Sequence, residues 1–307
     1  MPDSHSTCPA HGFPFEMGTA RQGSMTGLTS RSVAIMLFAM ALIPLADSAA
    51  KVLVSAHGTS PFYVAWTRFV VGAVASLAIL AANGQTPHLR LYANWRIWVR
   101  GLLIVGAISS MATALRTEPI ADVFGAFFIG PILSYALSAM LLRERVSLAR
   151  TVILLVGFAG VLLVVRPGFG MSSGIGIAAF AGVCYGSYLT SSRWLAGLGS
   201  PVELLLSQMV IGSLVLAPIA LPLLPTPTWP LAGQTLVSAF ASMFGNLLLI
   251  MAYAHTPASR LAPFVYFQLI AATFFGLVFF GDLPDGIAMA GIAIIFLSGI
   301  ASFRLRK

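Results

Sequence analysis

The chain has 307 residues, of which 58% are hydrophobic and only 8% charged, and its formal net charge is +8. Its mean hydropathy is +0.92. A water-soluble protein of this length cannot hide so much apolar surface in one core, which excludes soluble enzymes and soluble binding modules. The basic residues are scattered over short loops and gather in no single patch, which argues against nucleic acid as a partner.

Residues 1–31 are polar, rich in Gly, Ser, Thr and Pro, and have no apolar core. They read as a disordered cytoplasmic tail and not as a secretory signal peptide, with Met17 and Met25 as alternative starts. Ten apolar stretches follow, at 32–54, 61–82, 97–115, 120–142, 148–165, 174–195, 202–222, 234–254, 258–280 and 286–303. About 20 apolar residues are what roughly 30 Å of hydrocarbon demands of a helix. Backbone groups inside a bilayer must be satisfied internally, so these stretches are predicted as helices. A β-barrel would show alternating segments of about ten residues, and none occurs. The joining loops carry Ser60-Pro61, Thr117-Glu118-Pro119, Arg166-Pro167-Gly168, Thr256-Pro257 and Gly281 to Gly286, residues that break helices. Residues 304–307 form a basic end.

Charge orients the chain. With a cytoplasmic N-terminus, the inside segments and inner helix ends hold Arg21, Arg31, Arg90, Arg96, Arg100, Arg143, Arg145, Arg150, Arg193, Arg260, Arg304, Arg306 and Lys307, whereas the outside loops hold Arg116 and Arg166. This positive-inside bias predicts an even number of spans and two cytoplasmic termini in an inner (plasma) membrane. Cys8 lies in the tail and Cys184 in the sixth stretch, so no disulfide or metal site is implied.

The chain reads twice. Ser60-Pro61 recurs as Ser200-Pro201, Pro119 as Pro257, and Glu144 as Asp282, each before or after the corresponding stretch of a second five-helix copy. Gly157 and Gly160 in the fifth stretch are matched by Gly291 and Gly299 in the tenth. Five is odd, so the second copy lies upside down relative to the first. Inverted repeats are the building plan of many secondary transporters, with a substrate site near the midplane where the halves meet.

Thr67-Arg68-Phe69, Ala121-Asp122-Val123-Phe124 through Leu142-Arg143-Glu144-Arg145-Val146, Val156-Gly157-Phe158-Ala159-Gly160-Val161 and Arg166-Pro167-Gly168 resemble the first repeat of an EamA transporter of the drug/metabolite transporter superfamily. The run from Ala262-Pro263-Phe264 to Phe280-Gly281-Asp282-Leu283-Pro284 resembles the second. The resemblance implies an all-α polytopic membrane protein with ten transmembrane helices in two inverted five-helix repeats, at 32–166 and 167–303, and transport of a solute through a central cavity. Gln208 stands where the first repeat has Arg68, so that charge is not repeated.

Ionisable groups within a membrane are costly and are functional candidates by default. Asp47 and Lys51 lie one turn apart on the first helix, and Arg68 lies at similar depth on the second. They read either as a charge and proton-coupling constellation or as a structural pair with Lys51 snorkelling outward. Removing a carboxylate from water favours its neutral form and a neighbouring cation favours its ionised form, so Asp47 is the candidate through which a proton gradient acts. Arg116, Glu118 and Asp122 form a rim at the outer ends of the third and fourth helices, and Glu144 and Asp282 are gate or anchor candidates. Trp66, Ser134, Tyr135, Tyr185, Tyr188, Gln208, Asn246, Tyr266, Phe267 and Gln268 are candidates to line a cavity, the three amides above all, since an amide in hydrocarbon seeks a partner. Ser109, Ser110 and Tyr253 belong to the same polar and aromatic set. Ala178, Gly182 and Gly186 recur every four residues on the sixth helix, a spacing that lets helices approach closely.

No His-Glu-x-x-His and no phosphate-binding glycine loop with lysine occurs, and no cofactor or metal is expected. The expectation is a secondary transporter of a small organic metabolite, with the bilayer as its solvent. The aromatic ninth helix points to a ring-bearing solute such as a flavin-type vitamin (riboflavin), S-adenosylmethionine or an aromatic amino acid. An intramembrane enzyme acting on lipid and a passive channel are the alternatives.

Overall fold

The structure, a computed structural model, describes residues 30–118, 120–144, 146–165, 172–281 and 285–304. The side chain of Asp122 and all of Asp282 lie outside the described residues, as do most of the tail and the basic end.

Helix α1 spans Ser30–Ser55, α2 Pro61–Ala82, α3 Trp95–Thr117, α4 Ile120–Phe127, α5 Ile129–Leu141 and α6 Leu148–Val165. Then follow α7 (Ser173–Trp194), α8 (Pro201–Ala220), α9 (Trp229–His255), α10 (Ala258–Val265), α11 (Phe267–Phe280) and α12 (Gly286–Arg304). The helix starts are written locally. The Ser60 hydroxyl accepts from the Phe62 N–H with Pro61 at the first helical position, where its missing N–H costs nothing. Ser200 and Glu203 form a capping box on α8, and Asn94, Ser172 and Thr228 cap α3, α7 and α9. Gly281 closes α11 at φ 74°, a left-handed conformation that glycine adopts without strain.

The fourth and ninth apolar stretches are each predicted as one helix, and each is broken instead, at Phe128 and at Tyr266. Pro131 has no N–H to offer the Phe127 carbonyl, which ends the regular bonding of α4. No proline stands within a turn after Tyr266, although Pro263 lies inside α10 before it. There the Leu269 N–H bonds the Tyr266 carbonyl at 3.0 Å, a tighter three-residue step that offsets α11 from α10.

Counting each broken pair as one, eight helices among the described residues are long and apolar enough to cross a membrane. Helix α6 is apolar but shorter, and α7 is diluted by Gly, Ser and Thr. Helix α1 packs on α9 and α3 on α7; α2 packs on α8 and α6 on α12; α4 and α5 pack on α7, and α10 and α11 on α5 and α1. One end of the bundle collects Arg31, Arg90, Arg96, Arg143, Arg150, Arg193, Arg260 and Arg304, while Arg116 stands at the other end.

Candidate functional site

A cleft lies where α1, α2, α3, α4, α7 and α9 converge. Its polar lining is Asp47, Arg68, Tyr185, Ser242 and Asn246, and its apolar lining is Ile43, Phe127 and the α3 face Ile104, Ala107, Ile108 and Met111. A largely apolar cleft with a few convergent polar groups is the usual form of a small-molecule site.

Arg68 donates one hydrogen bond from each of its three nitrogens, one of them to a carboxylate. Arg68 Nη1 donates to Asp47 Oδ1 at 2.9 Å, Nη2 to the Ala46 carbonyl at 2.5 Å and Nε to Ser238 Oγ at 2.9 Å. Ser238 in turn donates to the Ala46 carbonyl. Asp47 is 6% and Arg68 3% exposed, so the pair sits where desolvation is costly and good geometry must offset it. Lys51 points elsewhere: its Nζ donates to the Glu118 carbonyl at 3.0 Å and to that of Leu115 at 3.5 Å, at the C-terminal end of α3.

A second polar chain begins at the cavity floor. The Tyr188 hydroxyl lies 3.0 Å from Gln208 Oε1 and 3.4 Å from Asn246 Oδ1, and it accepts from Arg100 Nη2 at 3.5 Å. Asn246 Nδ2 donates to the Ser242 carbonyl. Helix α9 therefore presents Ser238, Ser242 and Asn246 at successive turns, a polar stripe joining the two buried arginines. Arg100 is 0% exposed, donates from Nε to Ser192 Oγ and from Nη1 to the Leu204 carbonyl, and lies over the Tyr188 ring at 5.1 Å. In the sequence Arg100 reads only as one of the inside arginines. The polar residues recurring every four positions along α9 are the signal that would have pointed to this chain.

The other candidates are dispersed. Tyr185 lines the cavity with its hydroxyl unpartnered, between the rings of Phe127 and Tyr188. Tyr266 packs edge to face on Phe128 and against Phe158, its hydroxyl also unpartnered. Gln268 is fully buried with neither amide atom bonded. Trp66 donates to the Ser213 carbonyl between α2 and α8. Ser134 meets Thr190 between α5 and α7, Tyr135 bonds Thr151, and Phe267 packs against Phe264 and Phe296. Of these, Tyr185 alone lines the cavity; Tyr266, Gln268, Trp66, Ser134, Tyr135 and Phe267 do not.

Glu144 reaches across the arginine-rich end. Its two carboxylate oxygens accept from the Ala258 and Ser259 N–H groups at 3.1 and 3.0 Å, capping α10, where a negative charge complements the helix dipole. Arg193 lies 3.7 Å from the same carboxylate and donates to the Tyr253 and Ala254 carbonyls at the end of α9. At the opposite end Glu118 accepts from Ser172. Arg116 is exposed there.

The family profile described as the EamA-like transporter family matches residues 30–166 and again 172–303. The chain belongs to that family and is a multi-pass membrane transporter with a small-molecule substrate, not an enzyme. Its relatives include a riboflavin transporter of Vibrio cholerae serotype O1, 28% identical over 86% of this chain and 89% of that one. An S-adenosylmethionine uptake transporter of Rickettsia bellii is 23% identical over 87% of this chain and 92% of that one. A pseudopaline exporter of Pseudomonas aeruginosa is 26% identical over 68% and 75%. A crystal structure of another protein, 20% identical, superposes with a TM-score of 0.76 over 91% of this chain and 98% of that one, which shows a shared fold.

Proposed function

We propose that the chain is a secondary transporter with ten transmembrane helices in two inverted five-helix copies, residues 32–166 and 167–303, and that it carries a ring-bearing organic solute across the inner (plasma) membrane by alternating access. The observation that carries this reading is the cavity itself. It lies between helices of both copies and brings a buried ion pair, an amide and aromatic faces to one volume. Exchanging each helix for its counterpart five spans away returns the principal helix pairings, α1 on α9 for α3 on α7 and α2 on α9 for α3 on α8 among them, and the family profile matches each half separately. Both facts support the repeat. The arginine-rich end is then cytoplasmic, as are both termini.

The cavity suits a flat solute. Phe127 and Tyr185 offer faces at its wall, while Asn246 and the unpartnered Tyr185 hydroxyl offer polar handles. Riboflavin and S-adenosylmethionine, named for the Vibrio and Rickettsia relatives, both carry fused rings, and aromatic amino acids complete the set. The Asp47–Arg68 pair is the coupling element: protonation of Asp47 releases Arg68, and a proton gradient then drives the cycle.

The test is a thermal-shift panel on purified protein, followed by counterflow in liposomes with any solute that binds. A ligand selective for the folded state raises its apparent stability. Ring-bearing solutes are expected to stabilise and to exchange saturably. Stabilisation by aliphatic solutes alone would overturn the ring assignment, and flux without saturation would favour a channel.

A further inference from the structure

Of the four buried charged side chains among the described residues, only Arg100 has no charged partner: Asp47 pairs with Arg68 and Glu203 with His88. Asp47 and Arg68 cancel one another at 2.9 Å. Arg100 is as deeply buried, yet its partners are a hydroxyl of Ser192, the Leu204 carbonyl and the Tyr188 hydroxyl, all neutral. A guanidinium remains charged in any protein environment and offers five N–H groups. Each terminal nitrogen of Arg100, with two N–H groups, makes a single hydrogen bond, and the one to Tyr188 is stretched to 3.5 Å. A buried cation without an anion is costly unless something supplies the missing charge.

The position of Arg100 says where that charge would come from. Arg100, Ile104, Ile108 and Met111 follow one another along one face of α3, and the last three line the cavity. Arg100 is the next turn of that face, below the cavity floor. Tyr188 covers it, held to Gln208 at 3.0 Å and more loosely to Asn246, which is itself a cavity residue. Beside it the Gln208 Nε2 amide, also fully buried, has no acceptor. Two sets of buried donors, an uncompensated guanidinium and an idle amide, thus flank one tyrosine at the base of the site.

We propose that Arg100 is an anion-binding subsite at the floor of the transport cavity, and that the cargo carries a carboxylate which displaces the Tyr188 hydroxyl and is received by the Arg100 guanidinium and the Gln208 amide. The proposal rests on the transport reading above and narrows it. S-adenosylmethionine and aromatic amino acids carry a carboxylate; riboflavin does not. Planar two-pronged recognition of a carboxylate by guanidinium is stronger than the neutral contacts it replaces, and the cargo charge would give Arg100 the anion its own surroundings lack.

The experiment compares matched probes on the intact protein in detergent. Phenylalanine and tryptophan are set against their primary carboxamides, with S-adenosylmethionine, riboflavin and the aliphatic carboxylate succinate alongside, and binding is read by thermal shift and by calorimetry. The expected result is that the carboxylates of ring-bearing probes bind roughly ten- to a hundredfold more tightly than their carboxamides, with Arg100→Gln erasing the ratio and Arg100→Lys retaining part of it. Equal binding of acid and amide, or binding of riboflavin alone, would overturn the anion subsite and leave the ring-bearing transport reading intact. Succinate binding without any ring-bearing probe would overturn the ring assignment and leave the subsite intact. No binding by any probe counts against both. An Arg100→Gln protein that is less stable but keeps the acid-to-amide ratio shows a purely structural arginine and overturns the proposal. If that variant does not fold, the ratio measured on the unaltered protein decides alone.

Discussion

The rings of Phe128 and Tyr266 meet edge to face with centroids 5.7 Å apart, and each residue stands at the break in its helix. The two are separated by the same interval as Pro119 and Pro257, or Glu144 and Asp282. Two discontinuities therefore touch at the centre of the bundle. Broken helices in membrane proteins are tolerated where protein surrounds the freed backbone groups, and both residues are fully buried.

The freed backbone has a specific neighbour. Pro131 leaves the Phe127 carbonyl without its helical donor, and that carbonyl rests on Gly182, where a Cβ would collide with it. Gly130 likewise abuts the backbone of Gly182 and Gly186, a Cβ on Gly130 falling 2.8 Å from the Gly182 carbonyl. A backbone cannot yield as a side chain can. Gly182→Val is expected to destabilise the protein by roughly 2 kcal/mol or more, whereas Gly176→Ala, with open space at its Cβ, should be neutral. Thermal unfolding in detergent compares the two, and equal midpoints would show that α4 and α7 are not held by this contact.

Glu144 joins the loop after α5 to the start of α10, and Arg193 ties the end of α9 to the same carboxylate. Glu144→Ala removes both acceptors of the α10 cap and should cost about 1 kcal/mol of local stability. It should also free the arginine-rich end to open. A cysteine placed at Ser242 in a background lacking Cys8 and Cys184 reports this: labelling by an impermeant thiol reagent from that end is expected to quicken in Glu144→Ala. An unchanged labelling rate would make Glu144 an anchor with no gating role.

Much of the helix pattern was legible because breakers and caps are local. Ser60-Pro61 and Ser200-Pro201 mark helix starts in sequence and cap helices in the structure. Asp47 and Arg68 stood out because charge in hydrocarbon is rare, and the structure pairs them. Rotation about a helix axis is not local, however, and it sends Lys51 to the Glu118 carbonyl instead of into the cavity. Arg100 looked like any arginine near a helix end, because its burial depends on where α7 and α8 lie. The break at Phe128 has its sign in Pro131 after it, while the break at Tyr266 has only Pro263, on its N-terminal side. Helix α7 is the reverse case: its Gly, Ser and Tyr lower its apolarity because protein surrounds most of it.

The rings of Tyr185 and Tyr188 stack with centroids 6.2 Å apart and planes 27° apart, and the two residues predict opposite phenotypes on losing a hydroxyl. The Tyr185 hydroxyl has no hydrogen-bond partner among the described residues, so Tyr185→Phe should leave the unfolding midpoint unchanged and weaken solute binding about five- to tenfold. The Tyr188 hydroxyl serves Arg100 and Gln208, so Tyr188→Phe should lower stability by roughly 1–2 kcal/mol. Paired unfolding and binding curves test this. A loss of stability in Tyr185→Phe would mean that its hydroxyl is satisfied inside the fold and does not wait for solute.

Asp47→Asn separates coupling from architecture. The amide keeps an acceptor for Arg68 but removes the proton site and the compensating charge, and breaking a buried pair from one side costs about 3–5 kcal/mol. The double variant Asp47→Asn, Arg68→Met also removes the orphaned cation and should recover part of that loss. In liposomes, Asp47→Asn is expected to exchange solute at equal pH on both sides yet to show no uptake driven by an imposed pH gradient. Uptake with unchanged pH dependence would exclude Asp47 as the coupling group. Failure of both the single and the double variant to fold would make the pair structural, since the double variant retains no charge to strand.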